Sequence, residues 1–445
     1  MASAREAAML TLAACERQGA WSDGYLKKIL REQGLDRRDA ALAARLCYGV
    51  LQNKFLLDWH LARFCKYKLT SLDIKVLCNL QVAAYQLLFL DKIPPSAAVN
   101  EAVELTKKHC RNPRAAGMVN GILRAILREE EHPEPAGCDK VEYLSLKYSH
   151  PRWLVEEFAR RPGLEEAEQL LAANNEQPST VAQINTVRFT AEHVWSALLA
   201  EGVDAEFHPW MPDCLLLSGT GSLEHLRTFQ NGAFYIQDAA ARLAVTAAGV
   251  TPGSRVLDAC AAPGGKSFAA AIDMRNRGEI VSCDIHPHKI KLIEAGRERL
   301  GLSIIAPQLQ SAAEFREDWA DAFDTVIADA PCSGLGIIRK KPDIRYKDPE
   351  ALKGLPRVQR AILDNCSRYV RPGGVLLYST CTLLRRENED VVEAFLAENR
   401  QFESEPFELP QFGVQQGTVT FWPHIHGMDG FFIARLRRKG AAPFD

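Results

Sequence analysis

Arg255-Val256-Leu257-Asp258-Ala259-Cys260-Ala261-Ala262-Pro263-Gly264-Gly265-Lys266-Ser267 is the stretch whose reading decides the fold. Thr251-Pro252-Gly253 ahead of it is a turn signal, and residues 255–260 read as a short, largely buried strand. The Ala-Pro-Gly-Gly that follows cannot extend a strand, because proline removes a ladder donor and the glycines permit positive φ. Beyond Lys266, Ser267-Phe268-Ala269-Ala270-Ala271-Ile272 favours a helix. Strand, glycine loop and helix together are how α/β proteins receive nucleotide-like ligands, with the backbone approaching closely and the helix N-terminus favouring negative charge.

Three readings compete for this stretch. A phosphate-binding loop requires Gly-x-x-x-x-Gly-Lys-Ser/Thr; Gly265-Lys266-Ser267 fits its end, but Cys260 stands where the first glycine is required. A dinucleotide fingerprint, Gly-x-Gly-x-x-Gly, is absent. A plain strand-to-helix turn is the bland alternative. The remaining functional reading is a site for a nucleoside-like ligand without a polyphosphate, and S-adenosyl-L-methionine is its leading candidate.

The 445 residues suffice for two or three domains, and 47% hydrophobic with 25% charged residues is ordinary for a globular protein. The opening Met1-Ala2-Ser3-Ala4-Arg5-Glu6 carries charge at once, and no apolar run reaches the ~20 residues of a membrane span. The expectation is a cytoplasmic protein with no membrane partner, acting as a monomer. Twelve cysteines include no Cys-x-x-Cys pair, which argues for free thiols and against a zinc ribbon. His424 and His426 have no further ligands nearby and read as structural, so no metal is expected. Residues 1–132 hold 20 Lys and Arg against 14 Asp and Glu, whereas residues 133–235 hold 7 against 15. A basic front end suits a polyanionic partner, although a solvated helical surface has the same composition.

From residue 3 to about 130 apolar positions recur at helical spacing, as in Leu42-Ala43-Leu46-Val50-Leu51 and Val119-Ile122-Leu123-Ile126. Pro94-Pro95-Ser96 breaks the pattern, and Ser96 is expected to cap the helix that follows. Three segments then resemble the NusB family of RNA-binding antitermination factors: residues 45–51 (Arg-Leu-Cys-Tyr-Gly-Val-Leu), Ile93-Pro94-Pro95 with residues 98–103, and residues 119–124 (Val-Asn-Gly-Ile-Leu-Arg). That resemblance implies an RNA-binding module.

Residues 129–137 form a charged, proline-rich boundary. Residues 181–185 and 214–217 read as strands flanking a helix over 192–201, a small α/β unit whose acidic balance marks it as a positioning module. Strand signals then alternate with helices at 280–284, 304–305, 325–329 and 375–379, with a terminal strand at 429–436. This predicts a doubly wound, mostly parallel sheet with its ligand crevice at the carboxyl ends of the strands. Asp258, Asp284, Asp329, Cys332 and Cys381 all fall at or just past such ends.

Asp284 lies about 20 residues past the glycine loop, where a carboxylate takes ribose hydroxyls. Cys332, in Asp329-Ala330-Pro331-Cys332-Ser333-Gly334, and Cys381, in Tyr378-Ser379-Thr380-Cys381-Thr382, follow two later strands. A lone free thiol is usually a small buried hydrophobe. Two thiols at one crevice, one with an Asp three residues upstream, suit cytosine chemistry. C5 of cytosine is a poor nucleophile until a thiolate adds at C6, and the C5 proton must later be removed.

These segments resemble three signature motifs of RNA cytosine-5 methyltransferases, and with the NusB-like front end the whole chain is similar to the RsmB (Sun/Fmu) family of 16S rRNA methyltransferases. Glu387-Asn388-Glu389 is a further family-like feature. The resemblance implies an all-α NusB-like RNA-binding domain over 1–132, a linker and small α/β positioning module over 133–235, and a Rossmann-like methyltransferase domain over 236–445. It implies that Cys260, Ala261, Ala262, Pro263, Gly264, Gly265, Lys266 and Asp284 contact S-adenosyl-L-methionine and that Asp329 sits between cofactor and base. Cys381 would be the nucleophile and Cys332 would help release product. Gln310 stands where the family places an adenine-contacting Asp. The basic loop with Arg339, Lys340, Lys341 and Arg345 is expected to contact RNA phosphates. The implied function is methylation of C5 of a cytosine in small-subunit rRNA. The alternatives are the same reaction on tRNA and a non-catalytic RNA-binding or assembly factor.

Overall fold

The computed structural model describes residues 3–18, 22–110 and 112–440, so Met1 and Ala2 of the charged opening lie outside the described residues. The chain forms two compact units. One comprises the residues up to Asn175 together with Lys341–Lys347; the other takes Glu176–Lys340 and the chain from Asp348 onward.

The first unit is helical: α1 (Ala4–Gln18), α2 (Ser22–Gln33), α3 (Arg37–Phe64), α4 (Ile74–Phe89), α5 (Pro95–His109), α6 (Pro113–Leu127), α7 (Lys140–Tyr148), α8 (Arg152–Ala159) and α9 (Leu164–Ala173). Met9, Leu12, Leu46, Val50, Leu80, Val119 and Leu123 share one apolar core, as helical spacing requires. Ser96 does not cap α5. The helix starts at Pro95, whose fixed φ and missing N–H suit a first helical position. Helices α7–α9 fall within this unit.

Arg345, expected at an RNA surface, is fully buried in this unit. Helix α3 breaks at Asn53, where φ is -121° and ψ 16°. The Leu56 N–H there donates to Ser149 Oγ at 3.2 Å, and Arg345 Nη1 donates to Gln52 O, also at 3.2 Å. The same guanidinium donates to Tyr148 O, Ser149 O and Asn175 Oδ1, and through Nη2 to Asn174 O. It therefore sits against the C-terminal ends of α7 and α9, the negative ends of their dipoles. Burial alone pushes its pKa down to about 10.

In the second unit, β1 (Thr180–Ile184), β2 (Asp204–Phe207), β3 (Cys214–Ser218) and β4 (Phe234–Ile236) make an antiparallel sheet in the order β2-β3-β1-β4. The helix Ala191–Ala200 connects β1 to β2. The main sheet contains β5 (Arg255–Asp258), β6 (Glu279–Asp284), β7 (Ile305–Leu309), β8 (Phe323–Asp329) and β9 (Val370–Thr380), all parallel in the order β9-β8-β5-β6-β7. Beyond β9 the sheet turns antiparallel. Of the strands β10 (Phe402–Ser404), β11 (Phe407–Leu409), β12 (Gly413–Gln415), β13 (Thr418–Phe421) and β14 (Phe431–Arg438), β14 pairs with β9, and both β10 and β13 pair with β14. Val256 faces the core of the alanine-rich helices Ala239–Ala248 and Gly265–Asp273, while Leu257 faces the one holding Leu355–Ser367 and Glu389–Glu398. The chain leaves β5 for β6 on one side and returns to β8 on the other, so the switch point lies between β5 and β8. A crevice opens at the carboxyl ends of such strands.

Replacing Arg345 by Leu strips buried carbonyls at three helix segments of their donor, and unfolding by denaturant should show a loss of about 3 kcal/mol. Arg345→Lys, which keeps charge but not the fork, should recover only part of it. A variant as stable as wild type would show that water takes over these carbonyls.

Candidate active site

Asp258 ends β5 wholly buried. Its Oδ2 accepts from Ser267 Oγ at 2.7 Å, and Ser267 Oγ accepts from Ser282 Oγ at 2.7 Å. Burial pushes the Asp258 carboxyl up to about 6. This chain of bonds ties the first strand to the helix that starts at Gly265 and to β6. The intervening loop turns at Gly264, whose φ is 110°; a Cβ there would stand 2.4 Å from the Phe268 ring. Asp284 ends β6 and is 8% exposed; its Oδ1 accepts the His286 N–H at 2.9 Å, and Lys289 Nζ is 3.4 Å from Oδ2.

A single cavity of about 420 Å³ opens over the switch point. Cys260, Ala262, Asp284, Asp329, Cys332 and Cys381 all line it. Ala261, Pro263, Gly264 and Gly265 are not in the wall and shape the loop from behind; the Ala261 N–H, for instance, donates to Cys283 O at 2.7 Å. The wall also contains Ile285, His286, Lys289 and Ser311, which sequence reading did not single out. Gln310 is not in the wall. Its Nε2 donates to Ser311 O and Glu314 O, both at 3.2 Å, so its amide braces the turn after β7.

At the other end of the wall the two cysteine sulfurs stand 3.3 Å apart. Asp329 Oδ2 pairs with Lys266 Nζ at 2.7 Å and its Oδ1 accepts from Ser379 Oγ at 2.8 Å. Lys266 lies 5.0 Å from the Phe431 ring centroid. The hydrogen bond from Cys332 draws the Cys381 thiol below its ordinary range, against burial and Asp329, with Lys266 assisting. The same bond and burial push Cys332 well above its ordinary range. By geometry alone either sulfur can donate to the other.

The backbone that carries these thiols is knitted at glycine. The Gly336 N–H donates to Cys381 O at 2.9 Å, and the Gly430 N–H donates to Gly336 O at 2.8 Å. A Cβ on Gly336 would lie 1.9 Å from Gly430 O, which leaves no room for any other residue.

The basic loop does not present a row of free cations. Arg339 is 8% exposed and bonds Asp429 Oδ1 and Gly427 O, and Lys340 bridges Asp238 Oδ2 at 2.6 Å and Asp429 Oδ2 at 2.7 Å. Burial and the neighbouring Asp238 push Asp429 up to about 6; Asp238, despite its own burial, is held low by Lys340. Charge neutralisation by two carboxylates for Arg339 and Lys340, and burial for Arg345, correct the expectation that these three cations are presented to phosphate. Lys341 alone of the four is exposed. Among the described residues no group of three or more His, Cys, Asp or Glu could hold a metal ion, and no helix is long and apolar enough to cross a membrane.

A family model described as 16S rRNA methyltransferase RsmB/F matches residues 246–437, the NusB family matches 2–128, and the ferredoxin-like domain of RsmF/B-like methyltransferases matches 150–224. The chain is 38% identical to the probable ribosomal RNA small subunit methyltransferase B of Bacillus subtilis (strain 168), over 98% of this chain and 99% of that one. It is 31% identical to the ribosomal RNA small subunit methyltransferase B of Klebsiella pneumoniae subsp. pneumoniae, over 92% of each. Among solved structures, PH0851 is similar with a TM-score of 0.82 and 25% identity, covering 98% of this chain and 99% of that one. Such methyltransferases depend on S-adenosylmethionine. The residues fit it: a loop that excludes side chains at Gly264, a carboxylate at Asp284 for ribose hydroxyls, and a cavity of ligand size.

Two outcomes are expected here. Because the Asp258 carboxyl is raised in the folded state, its contribution to stability is present below about pH 4 and lost as pH rises through about 6. Asp258→Asn should flatten that fall by on the order of 3 kcal/mol in denaturant melts; equal falls would place the titrating group elsewhere. Gln310→Asp sets a carboxylate against two carbonyls and should lose about 1–2 kcal/mol of stability without tightening cofactor binding in calorimetry. Tighter binding would put residue 310 on the adenine after all.

Proposed function

The chain belongs to the RsmB/F family of 16S rRNA methyltransferases, and from that premise we propose that it methylates C5 of a cytosine in small-subunit rRNA through a covalent bond between Cys381 and C6. The observation that carries this reading is the 3.3 Å Cys332–Cys381 sulfur pair in the wall of the cofactor cavity, beside the Lys266–Asp329 pair.

The bound cofactor supplies an electrophilic methyl group on a sulfonium. Cys381, as thiolate, attacks C6 of the flipped-out base, and the C5=C6 electron pair moves into the ring while N3 takes a proton. The Lys266–Asp329 pair stands at the N3 edge to hold the ring and supply that proton. C5, now enamine-like, takes the methyl group and N3 gives its proton back. Transfer of the C5 proton to a solvent water returns the electron pair to C5=C6 and expels the Cys381 sulfur as thiolate. Cys332, donating its S–H toward Cys381, stabilises that sulfur both before attack and as it leaves.

RNA is held by the helical unit. Its helix α6, with Arg128 at its C-cap, turns Arg114, Gly117, Gly121, Arg124 and Arg128 to solvent at three- and four-residue steps. A Cβ on either glycine would meet nothing within 4 Å, so the guanidiniums flank an open strip suited to a phosphodiester backbone.

Cys381→Ala should abolish methylation and form no adduct. Cys332→Ala should still allow attack and methyl transfer but slow release. A denaturing gel with RNA and S-adenosylmethionine should then show a retarded protein–RNA band for Cys332→Ala only. A band from Cys381→Ala and none from Cys332→Ala would reverse the roles. Arg114→Glu with Arg124→Glu should weaken RNA binding and reduce its log–log salt slope by roughly 2, leaving cofactor binding unchanged. An unchanged slope would move the RNA face elsewhere. Deleting the helical unit is a poorer test, because Lys341–Lys347 packs within it.

A further inference from the structure

Two chemically identical thiols 3.3 Å apart could exchange roles, and something must decide which one is the thiolate. The peptide groups on either side of Cys332 are both held from one place. The Ser333 N–H donates to Glu387 Oε2 at 2.8 Å. Gln359 Nε2 donates both to Pro331 O at 3.0 Å and to the same Glu387 oxygen at 2.9 Å. Glu387 is fully buried, its two donors are neutral, and its Oε1 has no hydrogen-bond partner. This carboxylate holds the peptide that follows Cys332, and its charge raises the Cys332 thiol. Lys266, by contrast, acts on Cys381.

We infer that Glu387 is the positioning residue that divides the labour of the two cysteines: its buried carboxylate clamps the Cys332 loop and keeps Cys332 a neutral donor thiol, leaving Cys381 to be the thiolate. The inference rests on the proposed roles of the cysteines and deepens them. A negative charge disfavours a second one nearby, so Glu387 opposes ionisation of Cys332. The other groups facing the pair are Lys266 from the helix after the glycine loop, Asp329 at the end of β8, Tyr378 on β9 and Asp429 ahead of β14. Asp329 and Asp429 oppose ionisation of Cys381, and Lys266 favours it. Tyr378, whose OH donates to Glu387 O at 2.6 Å, is itself pushed well up by burial and stays neutral. Lys266 thus offsets part of the carboxylate charge at Cys381, whereas Glu387 adds negative charge at Cys332.

The test is alkylation of the full-length protein by iodoacetamide without RNA, with labelling of each cysteine read by mass spectrometry across pH. Wild type should label first at Cys381. Glu387→Gln, nearly the same shape, should raise the Cys332-to-Cys381 labelling ratio at neutral pH by about tenfold, the effect of a one-unit fall in a thiol pKa. In a Cys381→Ser background the same change should move the Cys332 labelling midpoint to lower pH. Gln359→Leu removes a loop anchor but keeps the charge, and should leave Cys381 the preferred site. An unchanged ratio and midpoint in Glu387→Gln would overturn the inference. So would equal shifts in Glu387→Gln and Gln359→Leu, which would mean that loosening of the loop, not charge, decides reactivity. Because no RNA is present, these outcomes are separate from the gel assay of the covalent bond.

Discussion

The close approach of three backbone segments at Gly336 is the constraint on which the candidate site depends. The loop after β8 donates to Cys381 O, and the segment before β14 donates back to Gly336 O, with no space for a side chain between them. Two cysteines 49 residues apart in sequence are brought into contact because these peptides hydrogen-bond directly. Side chains alone would hold them less firmly, since a backbone bond carries no rotamer freedom. Lys266 lies over the Phe431 ring at the start of β14, and Glu387 accepts the Ser333 N–H in the loop after β8, so both touch the joined segments.

Charge is used with the same economy. Arg339 and Lys340 meet Asp238 and Asp429 in a nearly buried cluster that joins the loop, the N-cap of the helix Ala239–Ala248 and the approach to β14. Such a cluster adds little net stability, because desolvation offsets most of its attraction, but breaking one partner leaves a bare buried charge. It is better understood as a registry device for the loop that carries Cys332. Arg345 illustrates a different solution, a guanidinium held by carbonyls and helix dipoles with no carboxylate in reach of its hydrogen bonds. Arg339, Lys340 and Arg345, which look available to a polyanion in the sequence, are bonded inside, whereas Lys341 and the guanidiniums of Arg114 and Arg124 on α6 are exposed.

Much of this molecule was legible beforehand for a simple reason: local conformation follows local pattern. Helical spacing identified the front end, and the turn at Thr251-Pro252-Gly253 with the glycines at 264 and 265 identified β5, its loop and its helix. Strand ends are carboxyl ends of a parallel sheet, so Asp258, Asp284, Asp329, Cys332 and Cys381 could be assigned to one crevice before any coordinate was known. The short strands β10–β13 could not be found this way, because three or four residues carry too little periodicity to register.

Sequence by itself therefore determined the helical front end, the doubly wound sheet and the set of acids and thiols at its carboxyl edge. Only the tertiary structure decided which partner each side chain takes. Gln310 sits at the expected place after β7, yet its amide turns to Ser311 O and Glu314 O rather than into the cavity. Arg345 stands four residues from Lys341 in one basic run, yet one is buried among helix ends and the other exposed. Glu387 read as part of a family-like segment, and its carboxylate accepts the N–H of Ser333 next to Cys332. For Arg345 and Glu387 the physical reason is the same. Periodicity and turn chemistry report the conformation of neighbouring residues, whereas a hydrogen bond or a buried charge is settled by groups brought together from 28 to nearly 300 positions away.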